Sequence, residues 1–388
     1  MLKLIFLMIA ILLIGCSTVK IENNAIDYLN RNNKNFFIIE NNKNKSSEDP
    51  ILLNSSECND SILKKYKVIT TKLLVDSKTD AFLIYQKNKV VCHFFSHPER
   101  LNQLFDSWSV AKSITSVLTG IAIQKKYLKS VNDSITDYLP ELSKQDKRFE
   151  KITILNLLEM RSGIDFDENY YKNSGDIENL LNIELITDTL KYKKIKYESD
   201  LKFNYSSFDY QLLGLIIERA SHMKLSEFAS EFLWKKMDAN DPAYWLMDSL
   251  QINTRAYCCF KGTLGDYFRF ALLVLNKGYI NNSSVVNSDW ITQSTDRPNP
   301  KNYFKYGLGW WHFNHIEKMP SNEAKEQDTN TFTENGKIYT AGKGFGAEGV
   351  MGQFIFIYPE TESIIIRFGR SRSDINWQKI FLSISKSE

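Results

Sequence analysis

The chain has 388 residues, of which 43% are hydrophobic and 24% charged, with a formal net charge of +3. That is enough to bury a large core in one to three domains, and acidic and basic residues are mixed along the chain, so no basic face argues for nucleic acid. The five cysteines and five histidines lack the spacing of a metal site, so no metal is expected.

The first residues read as a targeting segment. Lys3 precedes eleven apolar residues, Leu4 to Ile14, and then Gly15-Cys16-Ser17. As a helix this run reaches about 16 Å, too short for a ~30 Å hydrocarbon layer, which suits a secretory signal. Leu13-Ile14-Gly15-Cys16 resembles a bacterial lipobox, in which the cysteine is lipidated and becomes the first mature residue. Residues 1–15 are therefore expected to be a lipoprotein signal peptide, Cys16 the lipid carrier, and the protein exported to the bacterial cell envelope. Residues 16–65, mostly Asn, Lys, Ser and Glu with one apolar cluster, Phe36-Phe37-Ile38-Ile39, read as a tether. Export permits disulfides. The pairing of Cys58, Cys92, Cys258 and Cys259 stays open, although the neighbours Cys258 and Cys259 are not expected to bond to each other.

Beyond the tether, Ala81–Tyr85 and Val90–Phe95 are β-branched and aromatic runs, with Lys87-Asn88-Lys89 as a hairpin turn. A long segment, Ser109 to Gln124, mixes small and apolar residues on every side, which predicts a buried helix. Ser134–Pro140 reads as a short element stopped by proline. Thr153–Met160, Asp176–Tyr192, Asp209–Ala220, Leu225–Met237 and Thr263–Gly278 predict helices, the last capped by Thr263 and ended by Gly278. Strands return at Tyr306–Phe313, Phe354–Tyr358 and Ser363–Phe368, before a final amphipathic helix, Ile375–Ile384. Strands at both ends with helices between predict an α+β fold, its sheet built from both chain ends. Residues 66–388 form the expected body, with 66–110 and 300–388 as its α/β part and 111–299 as an inserted, mainly helical part.

The chemistry centres on Trp108-Ser109-Val110-Ala111-Lys112. Ser-x-x-Lys occurs six times in this lysine-rich chain, but only the copy at Ser109 opens a long buried helix. There the two side chains share a face one turn apart, and backbone N–H groups at the helix start lie near. A lysine on such a helix needs a partner or a depressed pKa. Tyr205, in the turn Phe203-Asn-Tyr-Ser-Ser207, could share the proton work if it meets that lysine. The glycine-rich stretch Gly342–Gln353, ahead of a strand, suits an edge that presents N–H groups to a substrate oxygen.

In order and spacing these stretches resemble the serine hydrolases of the class C β-lactamase and penicillin-binding-protein superfamily, nearest to the 6-aminohexanoate-dimer hydrolase-like branch. Ser109-Val-Ala-Lys112 is similar to the family's Ser-x-x-Lys, Tyr205-Ser206-Ser207 to its Tyr-x-Asn or Tyr-Ser-x, and Ala347-Glu348-Gly349 falls where the family has Lys/His-Thr/Ser-Gly. Ile152–Gly163, Ala256–Thr263 with Asp266 and Arg269, and Phe345–Gln353 resemble further family segments. The resemblance implies a β-lactamase/transpeptidase-like fold with an antiparallel sheet flanked by helices. It implies Ser109 as nucleophile, Lys112 and Tyr205 as its proton handlers, and the backbone N–H groups of Ser109 and Val350 as the oxyanion hole. Ser207, Glu348 and Gly349 become the expected substrate contacts. The departures bear on the substrate: Ser207 replaces Asn, Ala347 the cation and Glu348 the hydroxyl. An esterase or amidase acting on small molecules through an acyl-enzyme, which needs no metal or organic cofactor, is the expected activity. The alternatives are a penicillin-binding-type D-alanyl peptidase or β-lactamase, and an idle binding protein on the same fold. Oligomeric state is not legible.

Overall fold

The computed structural model describes residues 35–42, 50–100, 102–170, 175–295, 306–312, 315–317, 331–334, 337–340 and 344–387. The expected signal peptide and Cys16 lie outside these residues. In chain order, the elements that matter to the site are β1 (Phe36–Ile39), β2 (Thr79–Gln86), β3 (Lys89–Phe95), β4 (Phe105–Asp106), α1 (Ala111–Gln124) and α2 (Ser207–Ser221). They are followed by β5 (Ala243–Leu246), β6 (Phe260–Gly262), α3 (Leu264–Leu275), β7 (Tyr306–Gly307) and β8 (Trp310–His312). The chain closes with β9 (Phe345–Gly349), β10 (Gln353–Tyr358), β11 (Ser363–Gly369) and α4 (Trp377–Ser385).

The two chain ends build one seven-stranded antiparallel sheet in the order β3-β2-β11-β10-β9-β8-β7. This is the α+β arrangement expected from strands at both ends. β2 and β3 meet through Lys87 (φ 50°) and Asn88 (φ 61°), the pair of left-handed residues that a two-residue hairpin turn needs. β10 and β11 are apolar at nearly every position because both faces of the sheet are covered. Ile355, Ile357, Ile364 and Ile366 enter the main core, where Phe268 of α3 also packs. Their alternates Phe354, Phe356 and Ile365 pack with Trp377 and Phe381 of α4 in a second core. That period of two is the pleat of a strand buried on both sides.

α1 is buried from Ala111 to Ala122, as its composition predicts. Its small hydroxyl residues fasten it to neighbours on two sides. Ser113 Oγ donates to the Gly309 carbonyl, Ser116 Oγ to that of Leu308 and Thr115 Oγ1 to that of Ala256, each at 2.6 Å. Polar side chains in a core must find such acceptors.

Several elements differ from expectation. Part of the supposed tether is folded: β1 pairs antiparallel with β5 in a second, four-stranded sheet, order β1-β5-β6-β4. Phe36–Ile39 is a strand-like apolar run, and the polar residues around it hid a partner some two hundred positions away. The short helices Pro50–Leu53 and Asp60–Leu63 and the Cys58–Cys92 disulfide likewise tie this region to β3. Pro140 begins a helix, Pro140–Gln145, where its missing N–H costs nothing, instead of merely stopping the element before it. Cys258 and Cys259 are bonded to each other, against expectation, with Cys259 in the left-handed region at φ 66°.

Candidate active site

The turn Trp108–Val110 delivers Ser109 to the start of α1. Trp108 holds φ 46°, a left-handed conformation that costs a non-glycine residue about 1–2 kcal/mol. The surroundings impose it. Ser107 N donates to the Phe260 carbonyl at 2.8 Å, and Phe260 N donates to Ser107 Oγ at 3.1 Å, which rivets the turn to β6. Gly349 at the end of β9 comes so close that a Cβ there would lie 2.5 Å from the Ser107 carbonyl oxygen and 3.1 Å from Trp108 Cβ. Trp108, Met351 and half-buried Val350 then pack together. The end of β9 and Val350 just beyond it therefore sit beside the Ser109 turn, where the family resemblance implies the oxyanion donors.

Lys112, on the first turn of α1, is 2% exposed. Its Nζ lies 3.1 Å from Ser109 Oγ, 3.0 Å from Ser207 Oγ and 3.1 Å from the Tyr257 carbonyl oxygen. Burial pulls its pKa down to about 8, partly opposed by the charge of Glu168. The Tyr205 ring lies 5.0 Å below the same ammonium. It stacks on Trp311 with centroids 5.5 Å apart, and Tyr306 packs edge-on to it at 6.1 Å. Burial raises the Tyr205 phenol well above its ordinary range, with Tyr306 and Glu168 adding to the effect and a hydrogen bond with Ser109 opposing it. Asn204 fixes this turn: its N donates to the Met160 carbonyl at 2.9 Å and its Nδ2 to that of Phe166 at 3.1 Å. Ser206 caps α2 by accepting from Asp209 N at 3.1 Å.

The structure thus brings Ser109, Lys112, Tyr205 and Ser207 together. It also changes the place of Ser207. That side chain is fully buried, and its hydroxyl lies between Lys112 and Glu168, behind the lysine and not toward a substrate. Glu348 stands on β9 with 12% of its side chain exposed, and it is not alone. Arg372 Nη2 lies 3.3 Å from Oε2, and Gln378 Nε2 donates to Oε1 at 2.6 Å. Glu348 is thus paired with a cation that comes from beyond β11.

Two residues were not singled out from the sequence. Glu168 takes the Ser207 hydroxyl at 2.6 Å and the Ser207 backbone N–H at 2.7 Å, and Tyr170 OH at 3.2 Å. Arg372 pairs with Glu348. Neither lies in a motif with fixed spacing, and nothing in the local pattern distinguishes Glu168 from the other acidic loop residues. Among the described residues no group of His, Cys, Asp or Glu could hold a metal ion.

Comparison with known proteins gives the family and the fold. A family model described as Beta-lactamase matches residues 74–373. The 6-aminohexanoate-dimer hydrolase of Paenarthrobacter ureafaciens is 22% identical over 307 residues, covering 76% of this chain and 73% of that protein. A solved structure titled "Putative 6-aminohexanoate-dimer hydrolase from Bacillus anthracis" superposes with a TM-score of 0.68 at 19% identity, covering 90% of each chain. A class C β-lactamase superposes with a TM-score of 0.58 at 14% identity, covering 85% of this chain and 97% of that one. The chain belongs to the beta-lactamase family and is a serine hydrolase of it.

Proposed function

We propose that this protein is an exported, lipid-anchored hydrolase that cleaves esters or amides of small molecules through an acyl-enzyme on Ser109. The observation that carries the reading is the placement of a buried lysine nitrogen 3.1 Å from the hydroxyl of Ser109. A free lysine is almost fully charged at neutral pH; with its pKa near 8, roughly a tenth of Lys112 is neutral at pH 7. Lys112 is the base of the free enzyme, since burial lowers its pKa and raises that of Tyr205.

Ser109 Oγ bonds to the substrate carbonyl carbon as its proton passes to Lys112. The oxyanion so formed accepts from the backbone N–H groups of Ser109 and Val350. The intermediate collapses by breaking the carbon–oxygen or carbon–nitrogen bond, and the departing alcohol or amine takes a proton through Tyr205. Water then attacks the acyl carbon, returns its proton to the same pair and releases Ser109.

The P. ureafaciens relative is named for hydrolysis of a 6-aminohexanoate dimer, and two amino acids join through an amide, which supports amides as one substrate class. Glu348 supports uncharged substrates, because its carboxylate already engages Arg372. A D-alanyl peptidase or β-lactamase is the second reading. What favours it is Arg372, which could turn to a substrate carboxylate. Cys16 carries the anchor in this reading, and one test is that Cys16→Ser moves the protein from the membrane to the soluble fraction. Unchanged membrane retention would exclude it.

The deciding experiment labels the protein with a fluorophosphonate and then compares kcat/KM for a short-chain nitrophenyl ester, a linear amide and a chromogenic cephalosporin. An adduct on Ser109 with the ester or amide preferred supports the proposal. An adduct elsewhere, or none, removes Ser109 as nucleophile, and preference for the cephalosporin transfers the chain to the second reading.

A further inference from the structure

A neutral primary amine has two N–H donors and one lone pair, whereas the ammonium has three donors. Lys112 Nζ has three oxygen neighbours: Ser109 Oγ, Ser207 Oγ and the Tyr257 carbonyl. The Tyr257 carbonyl can only accept. A hydroxyl such as that of Ser207 could in principle donate to the amine and so occupy its lone pair. It is prevented from doing so, because its hydrogen is committed to Glu168 Oε1 at 2.6 Å. Glu168 faces three donors, namely the Ser207 hydroxyl, the Ser207 N–H and the Tyr170 hydroxyl, and can act only as acceptor to them. With both N–H bonds of neutral Lys112 directed to Tyr257 and Ser207, the lone pair is left facing Ser109.

We propose that Glu168 is a positioning residue, which acts through the Ser207 hydroxyl to aim the lone pair of Lys112 at the nucleophile. The inference rests on the hydrolase reading above. It gives a reason for a carboxylate behind the lysine. It also accounts for a buried serine at the position where the family resemblance led us to expect a substrate contact.

The charge of Glu168 has a second effect, on proton affinity. The titratable groups around Lys112 are Tyr205 and Tyr257, whose rings lie 5.0 and 5.8 Å from its nitrogen, and Glu168 across Ser207. Tyr170, Tyr306 and Asp209 lie beyond them, and Glu348 acts on the Tyr205 side. Among these, Glu168 is the charge that favours the protonated lysine.

The test is the pH dependence of ester hydrolysis for the wild type, Glu168→Gln, Ser207→Ala and the double variant, with fluorophosphonate titration of Ser109 counting folded sites. Glu168→Gln should move the acid limb of kcat/KM to lower pH, because the charge that holds the proton is gone. Its plateau kcat should fall by up to about 100-fold with KM little changed. Ser207→Ala should give a similar plateau loss, and the double variant should lose no more than Ser207→Ala alone. An acid limb that stays in place in Glu168→Gln, or losses that multiply in the double variant, would overturn the inference. If Glu168→Gln does not fold, a plateau kcat of Ser207→Ala equal to wild type overturns it equally. A wild type that neither hydrolyses the ester nor takes the label fails the hydrolase reading itself, a result separate from any of these.

Discussion

The two sides of the site are built differently. On the α1 side, Lys112 is buried, each of its hydrogen-bonding directions has an oxygen, and the Ser109 turn is fastened to β6 from two directions. On the β9 side, Glu348 is met by Arg372, which is itself 59% exposed, and by the exposed contact of Gln378. The first side leaves little room for alternative geometry, and the second consists of long side chains that can turn into water. Reaction chemistry needs reacting atoms fixed within fractions of an ångström, whereas substrate choice needs only a difference in affinity. In the proposed mechanism the contrast accordingly separates the proton transfers, on α1, from substrate preference, on β9 and its neighbours.

The largest expected effects lie on the α1 side. Lys112→Ala and Tyr205→Phe should each lower kcat by about 10²–10⁴, with the double variant little worse, as measured by steady-state ester hydrolysis on folded protein. Multiplicative losses would mean that the two act independently and would break the picture of one over-determined unit.

Next in size is a pH effect. In the proposed mechanism Lys112 serves as base only when neutral, and its pKa is about 8, so kcat/KM should rise with pH through about 8 and then level. Below that point it should fall roughly tenfold per pH unit. The sign for folding runs the same way: above about 8 the unfolded chain holds a proton on lysine that the folded chain has released. Stability from this residue therefore rises with pH up to lysine's ordinary value near ~10.4. A kcat/KM that is flat across this range would dissociate the base from Lys112.

The smallest effect belongs to β9. Burial raises the Glu348 carboxyl while Arg372 and Gln378 pull it back. Glu348→Gln frees the guanidinium, so kcat/KM for a carboxylate-bearing substrate should improve by about 5- to 10-fold relative to a neutral ester, an effect of about 1 kcal/mol. If the ratio does not change, substrate preference resides elsewhere.

The same contrast explains what could be read in advance. Ser109 and Lys112 were legible because helical spacing brings them together within one element, and the buried character of α1 is written in its own residues. The sheet of both chain ends was legible because β2, β3, β10 and β11 each carry their apolar pattern locally. Glu168 was not, since its role comes from the folding of a loop onto Ser207, thirty-nine positions further along. Arg372 reaches Glu348 by the same kind of tertiary encounter. β1 failed for a related reason, because a strand of four residues has meaning only beside β5. The Cys258–Cys259 bond escaped a general rule about neighbouring cysteines that the local left-handed backbone of Cys259 overrides.

β1 and the Cys58–Cys92 bond also have a mechanical consequence. Tension applied at the N-terminus first loads the hydrogen bonds between β1 and β5, a ladder of four residue pairs. If that ladder gives way, the covalent tie along the described residues is Cys58, which is linked to Cys92 on β3. β3 is one edge of the seven-stranded sheet, while β9 and β8, which flank the Ser109 turn and carry Trp311, lie toward the other. Through that bond the pull enters the seven-stranded sheet at its β3 edge, four ladders away from β9.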